Sequence, residues 1–439
     1  MDCSQSYDHR DRLSALPDSL ILTILSLLET RYIVWTALLS KRWRDLWTTV
    51  PGLKFVEEDR NFICGVVSKF RGAKIVSFYF ELLYELPLAS DVDSWLLFAV
   101  EKQVEELHIY LGSHPDTPYC LPQFFYSCSS ITKLLLINCS LQIEGSVQLN
   151  QLESLSIHLR DSSCDAAMNK LLLGAPRLEE MILLIDEINQ NFSIRSTSLK
   201  NLIIDSHRPF STEIRAVLRI CAPNLLTLRI RAALVNGGSC LWDVPSLTEA
   251  CLRYFSDADD YGIPGDFPPL EAFYQIFRSI CHVKKLTLPE LHIELLLDMK
   301  KKDMVVQFAN AEFLRHECVS THDLLDLLDL LDLLEMFPKL KTLIFNQYQI
   351  FQDFNPDVET PFPRPSVLHL KTVEILWPAE DPSIIPFIEF LLQDAPLLHK
   401  LVFRLIKYRD NRKPFLMVEE KVRSMPRSSP TVEVIIIDG

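Results

Sequence analysis

Glycine is scarce, at 11 of 439 residues. Few positions are therefore free for positive φ or for a close approach of backbone to phosphate, which disfavours Rossmann sheets, P-loops and tight hairpins. Neither G-x-x-x-x-G-K-[ST] nor G-x-S-x-G occurs, and His316-Glu-Cys-Val-Ser320 lacks the second histidine of H-E-x-x-H. The eleven cysteines include no C-x-x-C pair, which reads as reduced, packed thiols and a nuclear or cytoplasmic location rather than a disulfide framework. Long apolar runs are missing too: Leu291 to Leu297 is short and touched by charge, far below the ~18 residues that span a bilayer. Met1 to Arg10 is polar and charged, without the apolar stretch of a secretory signal, so export is not expected. Bases are outnumbered, 44 Lys plus Arg against 58 Asp plus Glu, and a net charge of −14 repels polyphosphate. Nucleic-acid and membrane partners are not expected.

What is abundant is leucine, at 72 positions, in a chain that is 48% hydrophobic. Disorder is excluded as the main state. At ~150 residues per domain the length suits about three domains or one elongated one.

Leu16, Leu20, Ile24 and Leu27 recur at four, four and three, one stripe of a helix with Pro17 and Asp18 in its first turn. Ser40 reads as the N-cap of a helix from Lys41 to about Val50, carrying Trp43, Leu46 and Trp47 on one face and stopped by Pro51. Three short helices bury little surface alone, and indoles suit a partner's groove, so the segment reads as a docking module. A cap on whatever follows is the plainer alternative.

The strings Asp11-Arg-Leu-Ser-Ala-Leu-Pro-Asp-Ser-Leu20, Ile24-Leu-Ser-Leu-Leu28, Leu38-Leu-Ser-Lys-Arg-Trp-Arg-Asp-Leu-Trp47 and Val50-Pro-Gly-Leu-Lys-Phe55 closely resemble the F-box of plant F-box proteins. The resemblance implies docking on the Skp adaptor of a Skp-cullin-F-box ubiquitin ligase. Matching contact positions are Leu16, Pro17, Leu20, Ile24, Leu25, Leu39, Trp43 and Trp47, with internal core as the open alternative for each. Glu29 stands where the family usually has proline, and a local change is expected in that turn.

The phrase L-x-x-L-x-L then recurs, with Leu, Ile, Val, Met, Phe and Ala exchanging. Its first positions are Val104, Ile131, Leu152, Leu178, Leu199, Leu225, Leu247, Val283, Ala311, Leu340, Leu370 and Leu398, 21 to 36 residues apart. Most spacings fit leucine-rich repeats, although Ala250 and the unit at Ala311 match poorly. Segments such as Ala175-Pro-Arg-Leu, Ala222-Pro-Asn-Leu, Val244-Pro-Ser-Leu, Phe337-Pro-Lys-Leu and Ala395-Pro-Leu-Leu lead into five of them, where proline is expected to end a helix. Alternate residues of each strand would stack into a core, and the others would line a concave surface that binds a target protein. Candidates on that surface are Lys133, His158, Asp205, Arg229, Arg231 and Lys285, with ordinary solvated strand surface as the open alternative.

Asp323 to Leu334, a perfect Asp-Leu-Leu triplet run, reads as a lengthened repeat helix, and Ser256 to Pro269 as an acidic loop. Asp257-Ala-Asp-Asp-Tyr-Gly262 lacks oxygen ligands at Tyr261 and Pro268 and is not a calcium loop. Toward the carboxyl end, HLKTVEI, FLLQDAPLLHKLVF and EKVRSMPRSSPTVEVIII look like the FBD region of many plant F-box proteins.

The expected fold is therefore α/β: a tail (1–10), a three-helix F-box (11–55), a leucine-rich-repeat solenoid with a curved sheet and outer helices (56–360), and an FBD-like cap (361–439). The expected function is a non-catalytic substrate receptor with no cofactor or metal, whose partners are the Skp adaptor, through it the cullin core, and an unidentified target. The alternatives are a non-degradative binding scaffold and a ligand-dependent sensor.

Overall fold

A computed structural model describes residues 16–83, 88–112, 118–161, 164–187, 190–206, 217–231, 240–253, 270–317, 327–346, 367–378, 384–406 and 413–438. The acidic stretch 256–269 and the start of the triplet run, 323–326, lie outside them. The chain divides into two compact units, residues 1–160 with 164–184, and 161–163 with 185–439.

The first unit opens with helices α1 (Asp18–Leu25), α2 (Thr30–Trp35) and α3 (Lys41–Leu46), the last two extended by single 3-10 turns. Ile21, Leu25, Ile33, Trp43, Trp47 and Val50 close their shared core. Ser40 occupies the N-cap place of α3, but its buried hydroxyl makes no capping bond, contrary to the sequence expectation. Glu29, before α2, has φ −69° and ψ 151°, backbone that proline also adopts, so its replacement of proline leaves the turn's geometry in place.

There follow β1 (Gly52–Val56), α4 (Arg60–Lys69), β2 (Ser77–Leu82), α5 (Ala89–Glu101), β3 (Glu106–Leu111), β4 (Tyr119–Cys120), β5 (Lys133–Ile137), β6 (Cys139–Ser140), β7 (Ser154–Asp161), α6 (Asp165–Leu173) and β8 (Glu180–Glu187). Strands β1-β2-β3-β5-β7 pair in parallel in that order, so Leu53, Phe78, Leu107, Leu134 and Leu155 form one buried row. The ladder thus begins at Gly52, inside the stretch read as the helical head. Val50-x-x-Leu53-x-Phe55 and Ile75-x-x-Phe78-x-Phe80 are two further phrases in which phenylalanine replaces leucine.

The second unit contains β9 (Phe192–Arg195), β10 (Asn201–Ser206), β11 (Leu218–Cys221), β12 (Thr227–Arg231), β13 (Cys240–Asp243), β14 (Glu249–Arg253), α7 (Leu270–Ile280), β15 (Lys285–Pro289), α8 (Glu290–Lys301), β16 (Phe313–Glu317), α9 (Leu327–Glu335), β17 (Thr342–Asn346), β18 (Thr372–Pro378), α10 (Ile385–Asp394), β19 (Lys400–Ile406), α11 (Lys413–Ser424) and β20 (Glu433–Asp438). Its main sheet is wholly parallel, in the order β10-β12-β14-β15-β16-β17-β18-β19-β20. Leu202, Leu228, Ala250, Leu286, Leu314, Leu343, Val373, Leu401 and Val434 stand in one row, one per strand. Each buried leucine contributes at most ~1.5 to 3 kcal/mol before ordering entropy, so a strand is stable only between neighbours that bury the same row. The poorly matching units join this row, Ala250 and Leu314 both being buried.

All twelve phrase-leading residues are buried, and each of the twelve strands begins two residues later. The five proline segments end in a tight turn: Leu178, Leu225, Leu247, Leu340 and Leu398 each donate their N–H to the carbonyl three residues back, at 3.0 to 3.1 Å. Proline sits second in each such turn, where its fixed φ fits. A helix precedes the turn after α6, α9 and α10, but β11 and β13 precede it elsewhere, so ending a helix is only part of proline's role. The expected helices between strands are seen in only some units among the described residues. Units of 21 or 22 residues return through short strands, among them β9 and β13, which flank β11 in a small parallel sheet. The carboxyl strands β18, β19 and β20 continue the same parallel pairing.

Among the described residues no helix is long and apolar enough to cross a membrane.

Candidate functional site

Two surfaces stand out, one in each unit. On the head, the stripe that identified α1 faces outward: Leu20 and Ile24 are exposed, while Ile21 and Leu25 fill the inside. Leu27 and Leu38 are 81% and 89% exposed, and Leu28, Tyr32, Trp35 and Leu39 are exposed beside them in sequence. Tyr32 and Trp35 meet edge to face, with centroids 5.5 Å apart. An ion pair between Asp18 and Arg42 ties α1 to α3. So much exposed apolar surface on three short helices marks a contact surface.

Of the residues named from sequence for this contact, Leu20, Ile24, Leu39 and Pro17 are exposed and Leu16 is half-buried. Leu25, Trp43 and Trp47 lie in the head's own core, the alternative left open for them. Periodicity marks a helical face but does not say whether it turns inward. Leu27 belongs to the stripe but was not named for the contact, and Leu28, Tyr32, Trp35 and Leu38 were not singled out; the number of apolar residues beyond one stripe was the signal for those four.

The head is fixed to the ladder. Thr30 is buried, and its Oγ1 accepts the Lys54 backbone N–H at 2.7 Å, joining α2 to β1. Arg31 donates to the nearly buried Glu58 carboxylate at 2.5 Å, and the hydrogen bond and charge of Glu58 raise the Arg31 pKa.

In the second unit the alternate residues of β10, β12, β14, β15 and β16 enclose a hollow of about 480 Å³. Asp205, Arg229, Arg231, Glu249, Arg253, Lys285 and Arg315 supply its charges, and Ile203, Cys251 and Phe313 its apolar floor and walls. Arg231 Nε donates to Asp205 Oδ1 at 2.8 Å in a two-pronged pair. Glu249 faces Arg229 at 3.7 Å and Lys285 at 3.9 Å. The Arg315 guanidinium lies over the Phe313 ring, 6.0 Å from its centroid.

Four of the six residues named from sequence, Asp205, Arg229, Arg231 and Lys285, therefore share one hollow. The other two belong to the first unit: Lys133 donates to Glu106 at 2.7 Å, which raises its pKa, and His158 is half-buried on β7. Arg253 and Arg315 were missed. Arg315 belongs to the poorly matching unit at Ala311, and Arg253 ends the strand that contains the atypical Ala250.

Among the described residues no group of three or more His, Cys, Asp or Glu could hold a metal ion. Cys139 is buried, a setting that raises its pKa to about 12 and makes its thiolate inaccessible at neutral pH.

Comparison with known proteins covers the head and part of the ladder. Residues 13–55 match the F-box domain, and residues 92–241 match the leucine-rich repeats of the FBD-associated F-box protein At5g56370. A putative FBD-associated F-box protein of Arabidopsis thaliana, At5g56440, is 31% identical over 261 residues, 55% of this chain and 59% of its own length. F-box/LRR-repeat protein 13 and the FBD-associated F-box protein At5g22730, both of Arabidopsis thaliana, are each 26% identical and cover 98% and 97% of this chain, with 97% and 94% of their own lengths aligned. F-box domains generally bind Skp1-type adaptors, and F-box/leucine-rich-repeat proteins are typically non-catalytic.

Proposed function

We propose that this chain, an F-box/leucine-rich-repeat protein of the FBD-associated kind, is the target-recognition subunit of a Skp-cullin-F-box ubiquitin ligase. The head docks on the Skp adaptor and the ladder holds a target protein. Catalysis resides in the charged ubiquitin-conjugating enzyme. The chain contributes proximity, raising the effective concentration of target lysines around that enzyme. A nuclear or cytoplasmic location goes with this reading.

The observation that supports it best is the apolar face of the head. Leu20, Ile24, Leu27, Leu38 and Leu39 are exposed, although Ile21, Leu25, Ile33 and Trp43 already give the helices a core. A partner that covers this face gains the burial that the head alone forgoes, ~25 cal/mol per Å².

The test is co-purification of the full chain with a Skp adaptor, wild type against Leu27→Asp plus Leu38→Asp. Both side chains are exposed, so the variant folds, and loss of the adaptor is expected. A folded, monodisperse wild type that binds no Skp adaptor overturns the proposal.

A further inference from the structure

We infer that the basic hollow of the second unit receives an acidic, extended segment of the target protein. The inference rests on the receptor reading and names the chemistry of what the receptor holds. Among the described residues five cations line the hollow, Arg229, Arg231, Arg253, Lys285 and Arg315, against the two carboxylates of Asp205 and Glu249. Among these described residues the lining is basic, five cations to two carboxylates, on a chain whose formal charge is −14.

The cations differ in what they have left to give. Asp205 is engaged by Arg231. Glu249 lies 3.7 Å from Arg229 and 3.9 Å from Lys285, beyond hydrogen-bond reach of either, so both keep donors for another oxyanion. The Arg315 guanidinium lies 6.0 Å from the centre of the Phe313 ring, and the residue is exposed, so its N–H fork is open to a carboxylate arriving from solvent. The side chains of Arg229 and Lys285 are 60% and 62% exposed, within reach of an arriving ligand.

The spread of these groups sets the kind of ligand. They stand on four successive strands of the sheet, β12, β14, β15 and β16. Neighbouring strands lie ~4.8 Å apart, so the positive row extends about 14 Å across the sheet. An extended peptide covers that distance in roughly four or five residues at ~3.3 Å each, whereas one phosphate or carboxylate meets only one or two of the bases. The volume of about 480 Å³ lies in the range of ~300 to 1,000 Å³ usual for ligand sites. A long nucleic acid would meet the acidic remainder of the chain, which an acidic segment four or five residues long avoids.

The experiment is fluorescence anisotropy on the full chain with a labelled peptide, Gly-Ser-Glu-Asp-Glu-Asp-Glu-Gly, and its Gln/Asn counterpart. The acidic peptide is expected to bind at least tenfold tighter than the neutral one and to weaken between 50 and 300 mM salt. Arg229→Gln plus Arg315→Gln, two exposed positions whose replacement leaves the unfolding temperature unchanged, is expected to reduce binding of the acidic peptide at least tenfold. Equal binding of the two peptides, or acidic-peptide binding indifferent to the double substitution, overturns the inference. Tripolyphosphate that binds the wild type without any binding of the acidic peptide overturns it as well, leaving a small-polyanion site. Adaptor co-purification is read separately. If the adaptor is retained while the acidic peptide fails, only this inference falls; if the adaptor fails while the peptide binds, the receptor reading falls and the hollow keeps its ligand class.

Discussion

His316 lies nearly flat against Phe345, with ring centroids 4.5 Å apart and planes 16° apart. In the sheet it stands beside Leu288, in a row of apolar side chains. It is fully buried, and burial, acting against the Asn346 backbone, lowers its pKa to about 3. His292, enclosed by Phe273 and Phe277, is lowered to about 3 for the same reason. An imidazole in such surroundings serves as a flat, neutral ring.

Acid stability follows from these two values. An unfolded histidine titrates near 6.5, so between pH 6.5 and 3 the unfolded chain binds protons that the folded chain refuses. Stability is therefore full above ~6.5 and falls as pH drops below it, by up to ~1.4 kcal/mol per pH unit for each histidine. Urea midpoints measured from pH 7.5 to 5 should decline for the wild type and decline about half as steeply for His316→Phe. An unchanged slope in the variant would show that His316 is not held neutral.

Thr30 is the joint between head and ladder. Replacing it by valine keeps the shape but leaves the Lys54 N–H without its acceptor, at a cost of ~1 to 3 kcal/mol. Thr30→Ser keeps the oxygen and should lose much less. Thermal unfolding of the two variants decides, and equal losses would assign the effect to packing alone.

Glu29→Pro should stabilise the chain by ~0.4 to 1 kcal/mol, because Glu29 already has a proline-compatible φ and its N–H donates to no backbone carbonyl among the described residues. The Lys54–Glu29 pair lost in the exchange is exposed, at 3.8 Å, and contributes little. A lowered melting temperature would contradict this account of the turn.

Two tryptophans of the head should separate folding from docking. Trp43→Ala empties a core position and should cost ~3 to 5 kcal/mol, whereas Trp35→Ala, at an exposed site, should cost under ~1 kcal/mol while weakening adaptor capture. Melting curves and co-purification on the same preparations measure both, and a Trp35 variant that keeps full capture would remove that side chain from the docking face.

Much of this architecture can be read in the sequence, since a buried row needs an apolar side chain at a fixed step and leucine supplies most of them. Two units were missed although phenylalanine is allowed in the phrase: Val50 to Phe55 lies in the stretch read as the helical head, and Ile75 to Phe80 follows it before the first phrase recognised. The hollow was half legible: Arg229 and Arg231 alternate visibly with Leu228 and Ile230. Arg315 lies in a unit introduced by alanine and carrying a histidine in its core row, so its strand had no clear frame. On the head, Leu25, Trp43 and Trp47 shared their spacing and chemistry with surface positions, and only packing separates them.

The constant step of two residues from phrase to strand, set against spacings of 21 to 36, divides the chain by its tolerance to copying errors. Residues gained or lost between strands leave unaltered which side chains of each strand join the buried row and which face away from it. A single residue gained inside a phrase reverses every side chain beyond it in that strand. Lineages of such chains can therefore diverge freely in length while the exposed rows of their sheet change only by substitution.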